Sequence, residues 1–177
     1  MNTTMYWYSG TGNSLWTAKK FAEKLGDTEL VPMASDCVLA RADRIGLIFP
    51  VHMWGVPYTV VEFIKKITKT PDKYYFAAAV NAGEVSRTLI QLDGILKKEG
   101  VKLFAGFDVP MVSNYIPWGG PGTKEEIYSI MKSAESAINS AVDYIKAGST
   151  GRIDRGPLWQ RIIYTAIYKS AIKYVPM

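Results

Sequence analysis

Ser9-Gly-Thr-Gly-Asn-Ser14 follows directly on an apolar run, Thr4 to Tyr8, and leads directly into a helical pattern that begins at Leu15. That context reads as strand, anion-binding loop, helix. Gly10 and Gly12 let the backbone turn sharply and approach a ligand, while Ser9, Thr11, Asn13 and Ser14 bring neutral polar side chains around it. With no cation in the loop, a bound anion relies on backbone N–H groups and the positive end of the following helix. The stretch therefore suits one terminal phosphate.

Two other glycine loops compete. A nucleoside-triphosphate loop ends in Gly-Lys-Ser/Thr, whereas Gly12 is followed by Asn13 and Ser14, which excludes it. A dinucleotide fingerprint needs a third glycine where this chain has Leu15, although Asp36 lies near the position expected of a ribose-binding acid. A plain polar turn capping a helix is the third option, since Gly, Ser, Thr and Asn are common in turns.

The wider pattern favours the ligand loop. Apolar runs with strand character recur at Met5 to Tyr8, Leu30 to Met33, Ile45 to Phe49, Tyr74 to Val80 and Val101 to Val109. Helical patterns lie between most of them: Leu15, Ala18, Ala22 and Leu25 share one face before Gly26. Val60, Phe63, Ile64 and Ile67 share another before Pro71, and a third helix spans about Ser86 to Glu99. Continuous apolar runs suit strands buried on both sides, so the alternation predicts a parallel sheet covered by helices, with right-handed crossovers. Ligands of such sheets lie beyond the strand C-termini, here Ser9 to Ser14, Pro50 to Gly55, Asn81 to Glu84 and Met111 to Gly122.

The 177 residues fit one domain, and 48% hydrophobic content supports a substantial core. Cys37 and His52 are the only residues of their kinds, which excludes a four-thiolate cluster and leaves metal catalysis and nucleophile–histidine systems poorly supplied, with His52 the single histidine base. The N-terminus enters a strand at once with no leader-like segment, so a cytoplasmic protein is expected.

With Ser9 to Ser14 and Phe49-Pro-Val-His-Met-Trp-Gly-Val-Pro57 in view, the chain resembles the flavodoxins, over roughly Thr3 to Ile145. Together with Ser113-Asn-Tyr-Ile116, these motifs resemble most closely the flavodoxin-like half of flavodoxin and ferredoxin fusion proteins. The resemblance implies an α/β three-layer sandwich with a five-stranded parallel sheet of order 2-1-3-4-5, binding flavin mononucleotide (FMN). The phosphate would lie at Ser9, Gly10, Thr11, Gly12, Asn13 and Ser14. The ring would lie among Pro50, Val51, His52, Met53, Trp54 and Gly55 and the third loop Asn81, Ala82, Gly83 and Glu84. By the same resemblance Trp54 is the aromatic flavin neighbour, and Gly55 the glycine whose peptide reorients toward the flavin. The family's usual tyrosine is absent from Asn81 to Glu84, so Tyr115 or Trp118 is the candidate for the other ring face. His52, in a ligand-facing loop, is a candidate hydrogen-bonding partner of flavin or substrate.

Charge departs from the family's usual acidity. The net charge is +5 with a pI near 9.2. From Arg152 to the end there are five basic residues and one acid, so most of the excess lies in the tail. We therefore divide the chain into an FMN-binding unit at residues 1–150 and a basic, apolar helical extension at 151–177. Pro157 to Tyr174 reads as a helix whose apolar residues cover much of its circumference, more than one face can bury. Arg161, Lys169 and Lys173 interrupt it too often for a membrane span. Expected partners of that apolar surface are a membrane surface, a partner protein, the chain's own sheet or a second subunit. The ferredoxin modules of the fusion proteins have no counterpart in these residues, which makes a separate iron–sulfur partner an expectation. The leading function is a redox flavoprotein, either an electron carrier or a reductase of a quinone or similar small acceptor. A non-redox binding module is the competing class. A phosphoacceptor receiver, which needs clustered carboxylates at the strand ends, is excluded by Ser9 and Gly10.

Overall fold

A computed structural model describes residues 1–35 and 42–171. Asp36, Cys37, Ile172 and Tyr174, and the side chains of Trp118, Ala166 and Lys169, lie outside the described residues. In chain order the elements are β1 (Thr3–Trp7), α1 (Asn13–Leu25), β2 (Thr28–Pro32), β3 (Arg44–Pro50), α2 (Tyr58–Lys66), β4 (Tyr74–Asn81), α3 (Thr88–Lys98), β5 (Leu103–Pro110), a 3-10 turn (Ile116–Trp118), α4 (Lys124–Lys146), β6 (Arg152–Ile153) and α5 (Leu158–Ala171).

The strands form one parallel sheet of order β2-β1-β3-β4-β5-β6. This is the expected 2-1-3-4-5 arrangement with a sixth, two-residue strand added at the β5 edge. β6 is too short for any periodicity to reveal it. It is fixed by side-chain chemistry, since Asp154 accepts from the Asp108 backbone N–H at 3.1 Å and pairs with the Arg152 guanidinium at 2.9 and 3.0 Å.

Alternation along the central strands divides the core in two. Leu47 and Phe49 of β3 and Tyr75, Ala77 and Ala79 of β4 face Val60, Phe63 and Ile64 of α2 and Leu89, Leu92 and Leu96 of α3. Ile48, Phe76, Ala78 and Val80 face Ala18 and Phe21 of α1 and Ala134, Ile138 and Ala141 of α4. Both faces are covered, which is why these strands read as unbroken apolar runs. Gly46 is required by this packing: a Cβ there would lie 2.6 Å from the Phe76 ring.

The buried stripe of α1 differs from the face expected. Ser14, Thr17, Ala18, Phe21 and Leu25 are buried, while Leu15 and Ala22 are only partly covered. Thr17 can lie inward because its hydroxyl donates to the Asn13 carbonyl at 3.0 Å, leaving its methyl for the core. α4 begins with a capping box in which Thr123 Oγ1 accepts from Glu126 N–H and Glu126 Oε2 accepts from Thr123 N–H.

The order reverses between β1 and β3, so the loops after these two strands open the crevice where open α/β sheets bind ligands. Backbone hydrogen bonds hold neighbouring loops in step: Tyr8 N–H donates to Ile48 O, Val51 N–H to Val80 O and Met111 N–H to Asn81 O, at 2.7 to 2.9 Å.

Candidate functional site

The first loop delivers a helix end built for an anion. Gly12 precedes α1 with φ 102°, a left-handed conformation that strains any side-chain-bearing residue, and its carbonyl accepts from Trp16 N–H at 2.8 Å. Ser9 Oγ accepts from Gly12 N–H at 3.0 Å, closing the turn. Among the described residues no side chain caps α1, and its first turn holds no acid. The N–H groups of Asn13, Ser14 and Leu15 have no intrahelical acceptor by helix geometry. Ser14 adds a second observation: its Oγ is buried with no hydrogen-bond partner among the described residues. A buried orphan hydroxyl is costly unless a ligand satisfies it. Uncapped amides and an unpaired hydroxyl thus fit a phosphate, whose oxygens only accept at neutral pH.

The other loop residues are fixed from the β5 side. Asn13 Nδ2 donates to the Val112 carbonyl at 2.9 Å, and Asn114 Nδ2 donates to Thr11 Oγ1. Asn13 therefore ties the first loop to the fourth loop with its amide. Gly10 and Thr11 stay exposed.

The second loop is a two-residue hairpin. His52 N–H donates to Gly55 O at 3.1 Å and Gly55 N–H to His52 O at 2.9 Å, placing Met53 and Trp54 at the turn with φ 46° and 62°. Such turns favour Asn and Gly, so two large residues here store backbone strain. The peptide joining Gly55 to Val56 is held at both ends: its carbonyl accepts from His52 N–H, and Val56 N–H donates to Gln91 Oε1 at 3.0 Å. Reorienting it breaks two hydrogen bonds, about 1–3 kcal/mol together. Pro50 ends β3 and Val51 is half-buried beside it.

His52 packs its edge on Tyr8, with ring centroids 5.9 Å apart and 71° between planes. The residue is exposed on one side, and crowding on the other strips hydration from the ring and lowers the imidazole pKa below its ordinary value. It is a neutral donor and acceptor at pH 7.

The third loop is shaped by Asn81. Its Oδ1 accepts from Gly83 N–H at 2.9 Å, and its Nδ2 donates to Asp108 Oδ1 at 2.6 Å. Burial pushes the Asp108 carboxyl up, the Asn81 bond opposes this, and the neighbouring Asp154 charge adds to it. Ala82 and Gly83 are exposed, and Glu84 is half-buried. Tyr115, in the fourth loop, is 55% exposed, so it stands at the rim.

Sequence reasoning placed Ser9 to Ser14, Pro50 to Gly55 and Asn81 to Glu84 at one edge of the sheet, and all three loops gather there with the Tyr115 loop. It missed what α5 brings. Tyr164 stacks flat on Trp54, with centroids 4.2 Å apart and planes 8° off parallel, and its hydroxyl donates to the Glu84 carboxylate. That bond raises the Tyr164 pKa above its ordinary value. Gln91, which holds Val56, was likewise not anticipated. Nothing in the local pattern marks either contact, because the pairs are 110 and 35 residues apart.

The outer face of α5 is apolar. Leu158, Trp159, Ile162, Ile163 and Ile167 are exposed, whereas Gln160 is buried. Among the described residues no helix is long and apolar enough to cross a membrane.

No family model matches the chain, and no curated protein matches it in sequence. Solved structures do match its fold. An FMN-dependent NADH-azoreductase from Bacillus anthracis, solved with FMN, aligns with a TM-score of 0.56 at 10% identity, covering 82% of this chain and 99% of that one. Two-electron reduced flavodoxin from Megasphaera elsdenii aligns with a TM-score of 0.53 at 18% identity, covering 76% and 99%. Rubredoxin oxygen:oxidoreductase from Desulfovibrio gigas aligns with a TM-score of 0.52 at 15% identity, where 82% of this chain spans 37% of that protein. The chain has the α/β flavodoxin-like fold.

Proposed function

We propose that this chain is an FMN-binding redox flavoprotein that exchanges electrons with a protein partner. The observation that carries the reading is the uncapped α1 N-terminus with the buried, unpaired Ser14 hydroxyl, at the crevice between β1 and β3. Those groups would hold the FMN phosphate without a cation. Flavodoxin-like neighbours, one of them solved with FMN, support the same cofactor.

Bound there, FMN would supply reversible uptake of one or two electrons. The chain's own residues do the rest. Ser14 Oγ and the first N–H groups of α1 bind the phosphate, while the Met53–Trp54 turn and the Asn81–Glu84 loop flank the ring. Trp54 excludes water from one side, and an apolar wall disfavours added negative charge on the ring. His52, neutral at pH 7, offers a hydrogen bond without adding charge.

The partner docks, on this reading, against the exposed apolar face of α5 beside the Met53–Trp54 turn, and the basic tail steers an acidic surface toward it. A small iron–sulfur protein of the ferredoxin type has the required charge and chemistry. The fusion-protein resemblance of Phe49 to Pro57 supports the same kind of partner. A second reading, reduction of a small acceptor such as a quinone, is favoured by the exposed Tyr115 and the lack of an aromatic at 81–84, which leave one ring face open.

The test is the visible spectrum of the purified protein, followed by titration of its flavin-free form with FMN and FAD. Tight, FMN-selective binding is expected. Failure to bind either flavin refutes the reading and favours a non-redox binding module.

A further inference from the structure

The C-terminal helix is joined to two of the candidate flavin loops through polar and aromatic contacts. Gly156 N–H donates to Ser86 O at 2.9 Å, and a Cβ on Gly156 would meet the Ser86 backbone at 3.1 and 3.2 Å. Ser86 itself has φ 48°, and its hydroxyl donates to the Gln160 carbonyl at 3.4 Å. One helical turn on, Tyr164 lays its ring on Trp54 and donates its hydroxyl to Glu84. Trp159 closes the group edge-on to Tyr164, with centroids 6.0 Å apart. α5 thus turns Gln160 and Tyr164 inward and leaves its aliphatic residues outside, the reverse of an ordinary surface helix.

We propose that Tyr164 is a positioning residue of the flavin site: one side chain fixes the Trp54 indole by stacking and the Glu84 carboxylate by hydrogen bonding, so the second and third loops are held as one unit. This rests on the FMN reading. The physical need lies in the turn. Met53 and Trp54 both adopt a left-handed conformation that side chains disfavour, and such strain persists only where surrounding contacts over-determine it. The parallel stack supplies that constraint and leaves the opposite face of the indole for a second planar ring. The tail is then part of the redox site rather than an appendage, backing Trp54 from the side away from the flavin.

The test compares wild type with Tyr164→Leu, Tyr164→Phe and Glu84→Gln. Three quantities are read: the FMN dissociation constant, the two one-electron potentials, and the near-ultraviolet circular dichroism of the flavin-free protein. Tyr164→Leu is expected to weaken FMN binding by about 2- to 10-fold, the range of one lost aromatic pair, and to shift the potentials. It should also remove the dichroism of the stacked pair. Tyr164→Phe should keep that dichroism and shift the potentials less, as should Glu84→Gln.

Wild-type affinity and potentials in Tyr164→Leu overturn the proposal. Tighter FMN binding also overturns it, because Tyr164 would then compete with the flavin for Trp54. Should Tyr164→Leu fail to fold, wild-type potentials in both remaining variants overturn the proposal by themselves. If wild type binds no FMN, the functional reading fails and this inference falls with it; that outcome is separable because it appears before any substitution is made.

Discussion

Gly10 and Gly12 lie two residues apart in the loop between β1 and α1, yet the structure predicts opposite responses to alanine. A Cβ at either position meets nothing within 4 Å, so crowding does not separate them. Backbone conformation does: Gly12 has φ 102°, while Gly10 lies outside the left-handed region. Gly12 cannot relax alone, because its N–H is bonded to Ser9 Oγ and its carbonyl to Trp16 N–H. Gly12→Ala should therefore lose about 1–3 kcal/mol to backbone strain. Gly10→Ala should be neutral or gain up to about 1 kcal/mol, through a less mobile unfolded chain. For a domain of this size the Gly12→Ala loss lowers Tm by about 2–12 °C. Urea unfolding with unchanged slope, backed by calorimetry, measures the difference. FMN affinity should fall in Gly12→Ala as well, since the strained turn aims the N–H groups of α1. Equal stability of the two variants refutes the reasoning.

Gly46→Ala should cost about 1–3 kcal/mol in urea unfolding, since its Cβ would press on the Phe76 ring in a core filled on both faces. Gln91→Ala should cost about 1–3 kcal/mol, because buried Val56 N–H loses its Gln91 acceptor, and should shift the flavin potentials by loosening the Gly55–Val56 peptide. Burial pushes the Tyr74 pKa up to about 12, and its hydroxyl donates to Ser149 O at 2.6 Å. The folded state holds that proton longer than the unfolded chain does. The contribution is therefore complete below the unfolded pKa of about 10 and lost as pH rises through about 12. The urea midpoint of wild type should fall more steeply over that window than that of Tyr74→Phe. Asp108 is likewise raised, so its ionisation opposes folding; the stability of Asp108→Asn relative to wild type should increase as pH rises above the ordinary aspartate value. A flat difference across mildly acidic pH contradicts this.

A parallel sheet covered by helices was legible because the central strands are unbroken apolar runs and helical patterns lie between most of them, whereas the strand order followed only from the resemblance to the flavodoxins. The strand–loop–helix setting of Ser9 to Ser14 was legible because its glycines and hydroxyls fall between an apolar run and a helical pattern. Less was readable where geometry depends on distant partners. The Met53–Trp54 turn has none of the residues that normally announce a left-handed hairpin, so its strain shows only in the folded backbone. β6 is two residues long, and its place at the sheet edge follows from Asp154 and Arg152 meeting β5. The helix α4 was not read from the sequence, although Thr123 and Glu126 form a capping box at its start. The tail was read as having more apolar surface than one face could bury, and its exposed Leu158, Ile162 and Ile163 agree. Its link to the candidate site through Tyr164 required the tertiary structure.

On the proposed function, the end of α1 with Ser14 binds the phosphate of FMN. Flavin-free protein titrated with FMN and with riboflavin, which lacks the phosphate, tests it most directly. Two or more charge-assisted hydrogen bonds to the phosphate predict FMN binding tighter than riboflavin by more than about 100-fold, with Ser14→Ala narrowing that gap. Equal affinity for the two flavins, or a gap unchanged in Ser14→Ala, would contradict the account.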